Sequence, residues 1–199
     1  MRFLLSLLLL AGFASAVEPY VGIGAIQPLA SEMHAIYHLM PGASLGVRFP
    51  RTRTLAFRVS GAGALGSGRG AYGEFRLVSA TLGLGVELHT NSALSAYVVP
   101  AIVAGYGAER MPDADTLGNI FDRWDSGTGL GFSIDAGATL FRTGALQFDA
   151  ECGLRFLSVP TDRATVGGWY PYYESIDVST FGVGLVVRFV RAESDPGRQ

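Results

Sequence analysis

The chain has 199 residues, enough for one domain with a sizeable core. Its formal net charge of −2 and low charged content (16%) exclude a basic nucleic-acid footprint. A single cysteine, Cys152, excludes an intramolecular disulfide. Mean hydropathy is positive, at +0.31, yet after the N-terminus the apolar residues alternate with small or polar ones rather than forming long runs. That pattern predicts strands with one apolar face.

The first sixteen residues carry Arg2, an apolar stretch over Phe3–Phe13 and a small-residue site at Ala14-Ser15-Ala16. They read as a secretory signal, too short to span a bilayer, with a mature barrel over 17–190. Eight strands follow. Glu18–Gln27 is short and rich in glycine. Gly42–Phe49 sends Ala43, Leu45, Val47 and Phe49 to one side and Ser44, Gly46 and Arg48 to the other. Thr54–Ala64 sets Leu55, Phe57 and Val59 against Arg58 and Ser60. Phe75–His89 sets Ala80, Leu82, Leu84, Val86 and Leu88 against Thr81, Gly83, Gly85 and Glu87, and its alternation slips near Val78–Ser79, which predicts a bulge. Leu94–Gly107 is apolar on both faces and contains Pro100, whose missing N–H predicts a bulge or an open edge.

The next two strands are the clearest. In Thr128–Arg142, Leu130, Phe132, Ile134, Ala136, Ala138 and Leu140 share one face, with Ser133 and Asp135 on the other. In Leu146–Phe156, Leu146, Phe148, Ala150, Cys152, Leu154 and Phe156 oppose Gln147, Asp149, Glu151 and Arg155. The last strand, Ile176–Phe189, ends with Phe181, Val183, Leu185, Val187 and Phe189 on one side and Arg188 on the other. Residues 191–199 form a short polar tail.

The links between strands alternate short and long. Pro50–Arg53, Thr90–Ala93 and Arg142–Gly144 are short. Pro28–Pro41, Leu65–Tyr72, Ala108–Gly127 and Ser158–Ser175 are long. A soluble sandwich has no reason to collect every long link at one end, whereas a bacterial outer-membrane barrel does. The expected fold is all-β: an eight-stranded antiparallel up-and-down transmembrane barrel, with the apolar stripes facing lipid and the polar ones facing the lumen.

The signal segment, the meander and the closing Gly-Val-Gly-Leu-Val-Val-Arg-Phe resemble the small eight-stranded outer-membrane barrels, the group of OmpX, OmpW and the OmpA membrane domain. The resemblance implies a bacterial outer-membrane location and contact with outer-membrane lipid and lipopolysaccharide. It further implies long links free to meet an extracellular ligand, and a monomer. It leaves the activity open among structural barrels, hydrophobic-solute channels and lipid-modifying enzymes.

The inward stripes hold a balanced set of charges, Arg48, Arg58, Arg155 and Arg188 with Glu87, Asp135, Asp149 and Glu151. An eight-stranded lumen is just wide enough for side chains to fill it, and buried charges must pair, so the expected result is an ionic plug. The role that follows is structural or surface-interacting. Two alternatives are a narrow route for small hydrophobic molecules with a lateral opening at Pro100, and a lipid A-modifying enzyme. The enzyme would need His34 or His38 beside Ser31, Ser126 or Asp125, a set defined only by geometry. Ser31 could cap a short helix in the first long link, packing Met33, Ile36, Tyr37 and Met40 on the barrel mouth and placing His34 and His38 on one face. Those two histidines are weak metal candidates for want of a third ligand beyond Glu32, and no cofactor is expected. In the third long link, Glu109, Asp113, Asp115, Asp122 and Asp125 read as a solvated acidic surface, since Leu117 spoils a calcium-loop pattern. In the fourth, Trp169, Tyr170, Tyr172 and Tyr173 read as an interface belt or a contact surface.

Overall fold

The computed structural model describes residues 17–70, 73–90, 95–114, 119–160 and 175–190. The predicted leader, the polar tail and the aromatic segment with Trp169, Tyr170, Tyr172 and Tyr173 lie outside them.

The strands are β1 (Glu18–Pro28), β2 (Met40–Pro50), β3 (Leu55–Gly70), β4 (Gly73–His89), β5 (Ala96–Ala114), β6 (Ile120–Thr143), β7 (Leu146–Pro160), β8 (Ser175–Asp177) and β9 (Thr180–Phe189). Each pairs antiparallel with its chain neighbour from β1 to β7. β8 and β9 lie in turn along β7, over Ser158–Pro160 and Leu146–Arg155, and β9 also pairs with β1. The sheet closes on itself as a ring with eight wall positions. Closure removes every edge, so the backbone donors and acceptors of the wall pair along its ladders without water, the lapse in the β4–β5 ladder lying beside Pro100.

Period-two alternation decides the faces. Outward positions carry exposed large apolar side chains, among them Ile23, Leu45, Ile102 and Leu130. On β4 the outward run from Val78 to Leu88 spans ten steps of about 3.3 Å, which at a tilt of about 40° covers an apolar band about 25 Å tall. An all-round apolar outer surface of this height is intelligible only in lipid.

At the end where β1 begins and β9 finishes, the links are short in sequence, over 51–54, 90–95 and 144–145. Gly144 takes φ 58° in the last of these, a left-handed turn conformation that glycine adopts without a Cβ clash. At the other end two of the expected long links turn out to be mostly strand. β3 and β4 run on to Gly70 and Gly73, and β5 and β6 to Ala114 and Ile120. Cross-strand pairs such as Gly66↔Leu77 and Ala108↔Ser126 continue the wall beyond the apolar band as paired ribbons.

The bulge expected at Val78–Ser79 is absent: β4 keeps one register with β3 from Leu55↔Leu88 to Gly70↔Gly73. The apparent slip has another cause. Above that point the interior is itself apolar, so Leu77 points inward while being hydrophobic, and Phe75 packs on the same inner core. A register shift occurs instead in β6, between Thr139 and Phe141, beside the stacked Phe141 and Phe148 rings. Nor does Pro100 cause a bulge. Its pair Ile134 keeps register on the β6 side, and on the β4 side pairing lapses only between Gly85↔Ala101 and Leu88↔Val98 before resuming in the same register.

Candidate functional site: a filled lumen

The lumen fills in layers from the tight-turn end. The first is centred on Glu87, fully buried on β4. Its Oε1 accepts from Arg48 Nε at 2.6 Å and from Arg188 Nη1 at 2.8 Å. Arg48 Nη1 also reaches Glu18 Oε2 at 2.5 Å. His89 Nε2 lies between Arg48 Nη2 and Glu87 Oε1, accepting from the first or donating to the second according to its tautomer. On the far side Arg188 Nε stands 2.6 Å from Asp149 Oδ2. Asp149 Oδ1 accepts from Gln147 Nε2 at 3.0 Å, and the same nitrogen donates to Thr139 Oγ1 at 3.0 Å. Strands β1, β2, β4, β6, β7 and β9 all contribute, so this layer ties the ring across its diameter.

The second layer is held by a fork. Arg58 Nη1 and Nη2 donate to Glu151 Oε2 and Oε1 at 2.7 and 3.1 Å, a bidentate pairing. Arg58 Nε donates to the Tyr20 hydroxyl at 2.7 Å, and the Tyr97 hydroxyl donates to Glu151 Oε2 at 3.0 Å. Arg188 lies over the Tyr97 ring, 4.3 Å from its centroid, and joins the two layers. The tyrosine rings lie flat on the wall because the residues beneath them have no side chain. A Cβ at Gly46 would sit 2.5 Å from the Tyr20 oxygen, and one at Gly137 would sit 2.3 Å from Tyr97 Cζ.

Above the fork, Asp135 and Arg155 stand beside a cavity of about 100 Å³ whose other lining includes Glu151, Ser44 and glycines of β1 and β9. They are not bonded into the network below: Arg155 Nε is buried without a hydrogen-bond partner. Asp135 rests against β7 at Gly153, where a Cβ would meet its Oδ1 at 2.1 Å.

The loop-side mouth is closed by α1 (Ser31–Ile36) and the turn after it. Met33, Tyr37 and Met40 pack on Ala64, Leu77, Leu157, Val159 and Val178. Ser31 does not cap the helix. Ala30 occupies the cap position with no side-chain bond, so packing rather than capping holds these six residues. The backbone seat is glycine: a Cβ at Gly68 would lie 2.2 Å from the Ile36 carbonyl oxygen. The buried Tyr37 hydroxyl donates to Glu109 Oε1 at 3.1 Å. Burial first, and the Glu109 carboxylate second, raise its pKa far above the ordinary phenol value, so it stays a donor. Glu109 and Asp125 are cross-strand partners and both buried, with Arg123 Nε 3.0 Å from Asp125 Oδ1. These two acids therefore do not form the solvated surface expected of them; strand extension places them inside the mouth.

The structure thus brings Arg48, Arg58, Glu87, Asp149, Glu151 and Arg188 into direct pairing and leaves Asp135 and Arg155 one layer above. Glu18, Tyr20, His89 and Tyr97 join them unforeseen, although each falls on the inward parity of its strand. Beside Pro100, the inward Val99 and Val103 are almost wholly buried. The His34 and His38 rings meet edge to face with centroids 5.9 Å apart, and Gln27 Nε2 lies 3.0 Å from His34 Nδ1. Among the described residues no three metal-ligating side chains come together. Asp125 and Ser126 point to opposite faces of β6, so they cannot serve one histidine.

The shape has counterparts among solved structures. Ail, the attachment invasion locus protein of Yersinia pestis, superposes with a TM-score of 0.52 at 12% identity, over 87% of this chain and 99% of its own. Ail has also been solved in complex with the heparin analogue sucrose octasulfate, with a TM-score of 0.51 at 14% identity and the same coverage. A major outer membrane protein from Thermus thermophilus gives 0.50 at 14% identity, over 87% of this chain and all of that one. The chain has the fold of a small outer-membrane β-barrel. The β domain of the Bordetella autotransporter BrkA gives 0.51 at 12% identity over 85% of this chain and 69% of its own. No protein-family model and no curated protein sequence matches. At these identities the likeness concerns the fold, and what distinguishes this barrel is its own interior and rim.

Proposed function

We propose that the chain is an integral outer-membrane barrel of the bacterial cell surface whose lumen is a structural core and whose work is done at its loop-side rim and outer wall. The observation that carries this reading is the filling of the interior, from Glu87 and Arg188 through the Arg58–Glu151 fork to the Tyr37 plug. A lumen of this width has no room for both a packed ion network and a conducting path. The 161–174 link, with Trp169, Tyr170, Tyr172 and Tyr173, is the segment we assign to contact with an extracellular ligand, because rigid aromatic rings anchor recognition surfaces at low entropic cost. The leader over 1–16 is taken to direct export, and the barrel to act as a monomer.

The test is twofold. Folded protein is expected to fractionate with the outer membrane and to run anomalously on unheated gels. In planar bilayers it is expected to give no steady open level. Large, stable conductance would overturn the closed-lumen reading, and recovery as a soluble monomer would overturn the barrel's placement. A hydrophobic-solute route is less well supported, since the side chains flanking Pro100 inside the barrel are packed, not lining a passage.

A further inference from the structure

The outer wall carries a groove of about 570 Å³ across β4, β5 and β6, at the level where Ala80, Tyr106 and Thr128 face one another. Its floor is made of small residues, Ala80, Ala104 and Thr128, with Leu82 and Leu130 at its lower edge. Four residues farther up on the same outward faces, past the Val78–Ala108–Ser126 row, Arg76 stands directly opposite Arg110, and Arg110 opposite Trp124. This row sits where the apolar band ends on the loop side: Val78 is the last outward apolar residue of β4 below it, and Ala108 opposite it is buried.

Two arginines facing each other across a ladder repel. Arg110 is tied to Asp122, whereas Arg76 is exposed and, among the described residues, forms no ion pair. Arg69 lies on the same outward face of β3, beside Ser67, the partner of Arg76, with Glu74 opposite it. The arginines outnumber the carboxylates, so the local balance at the lipid boundary is cationic, and an apolar furrow wide enough for hydrocarbon lies below it, across the Val78–Ala108–Ser126 row. A phosphate needs cationic donors, and an acyl chain needs a smooth apolar track; here the two are stacked in the order a lipid presents them.

We infer that this groove and its arginine row bind a phosphate-bearing acylated lipid of the loop-side leaflet, with the phosphate between Arg76 and Arg110 and one acyl chain lying over Ala80, Ala104 and Thr128. The inference rests on the outer-membrane placement proposed above and adds to it a specific ligand seat. Trp124, opposite Arg110, flanks the headgroup, where amphipathic rings are favoured.

The experiment uses the full mature chain folded in a maltoside detergent and a bisphosphorylated, hexa-acylated lipid A as probe. Native mass spectrometry and Trp124 fluorescence, in a Trp169→Phe background, read the binding. The wild type is expected to retain one lipid. Arg76→Gln and Arg110→Gln are each expected to weaken binding about ten-fold, the scale of one charge-assisted hydrogen bond. Asp122→Asn is expected to tighten it by freeing Arg110, a gain that a merely structural arginine row would not produce. Ala104→Phe, which fills the groove without altering charge, is expected to weaken binding while leaving the heat-modifiable gel shift intact. Equal retention by wild type and the Arg76→Gln/Arg110→Gln double variant would overturn the site. So would full displacement by millimolar inorganic phosphate, which would show an ion site without an acyl seat. Failure of the wild type to insert into bilayers would overturn the outer-membrane reading as well. Insertion without lipid retention would overturn this inference alone.

Discussion

Arg188→Met tests the lumen most severely. The substitution keeps an unbranched apolar stem and removes the charged guanidinium. It removes the hydrogen bond to Glu87 Oε1 at 2.8 Å, the contact with Asp149 Oδ2 at 2.6 Å and the stacking on Tyr97. The two carboxylates lose unequally. Glu87 keeps Arg48 at 2.6 Å, whereas Asp149 keeps only the neutral amide of Gln147. Stranding a buried charge costs about 3–5 kcal/mol, so a loss of about 4 kcal/mol is expected, most of it at Asp149. Adding Asp149→Asn removes the stranded charge and is expected to recover about 2–3 kcal/mol, a coupling of the size contacting pairs show. The assay is urea unfolding in phospholipid vesicles, followed by tryptophan fluorescence and by the gel shift. If Arg188→Met unfolds within about 0.5 kcal/mol of wild type, or if Asp149→Asn gives no recovery, the layer is not organised around this arginine and the argument from its geometry fails.

Three further outcomes are expected. Arg155→Ala should cost clearly less than Arg188→Met in the same assay, about 1 kcal/mol, because Arg188 contacts two carboxylates whereas, among the described residues, no ion pair holds Arg155. Tyr37→Phe should cost about 1.5–3 kcal/mol through the lost charge-assisted bond to Glu109, read as faster amide exchange over 29–39 with the barrel ladder unchanged; unaltered exchange would count against the plug. Gly137→Ala would drive a methyl into the Tyr97 ring, and a loss of about 1–3 kcal/mol is expected in thermal gel-shift midpoints.

Much of the wall could be read from residue order because the physics there is one-dimensional. In β6 and β7 every second residue must meet lipid, so Leu130, Phe132, Leu154 and Phe156 declare their face without knowledge of any partner. Reading failed where the surroundings change along one strand. Leu77 breaks the polar-inside rule because the mouth has an apolar core supplied by α1, more than thirty residues away in the chain. Glu109 and Asp125 look like loop acids because nothing local signals that the ladder continues beneath them. The inward set itself follows from parity, but which arginine takes which carboxylate does not. Arg58 reaches across to Glu151 on β7 rather than to an acid on a neighbouring strand, a choice made by the diameter of the ring and by Tyr20 lying over Gly46.

The wall is not level at its loop-side end. β1 stops at Pro28 and β2 begins at Met40, with the helix folded down between them, while β5 and β6 climb in register to Ala114 and Ile120. Four residues beyond Arg110 add about 13 Å of strand, about 10 Å of height at a barrel tilt. The barrel is a cup whose lip is raised along β3 to β6. The two ends of the 115–119 link, Ala114 and Ile120, are held there by a hydrogen-bonded ladder. Substitutions at that raised edge lie beyond the packed interior. Rapid change at the crest and slow change in the cup would then be two consequences of one uneven rim.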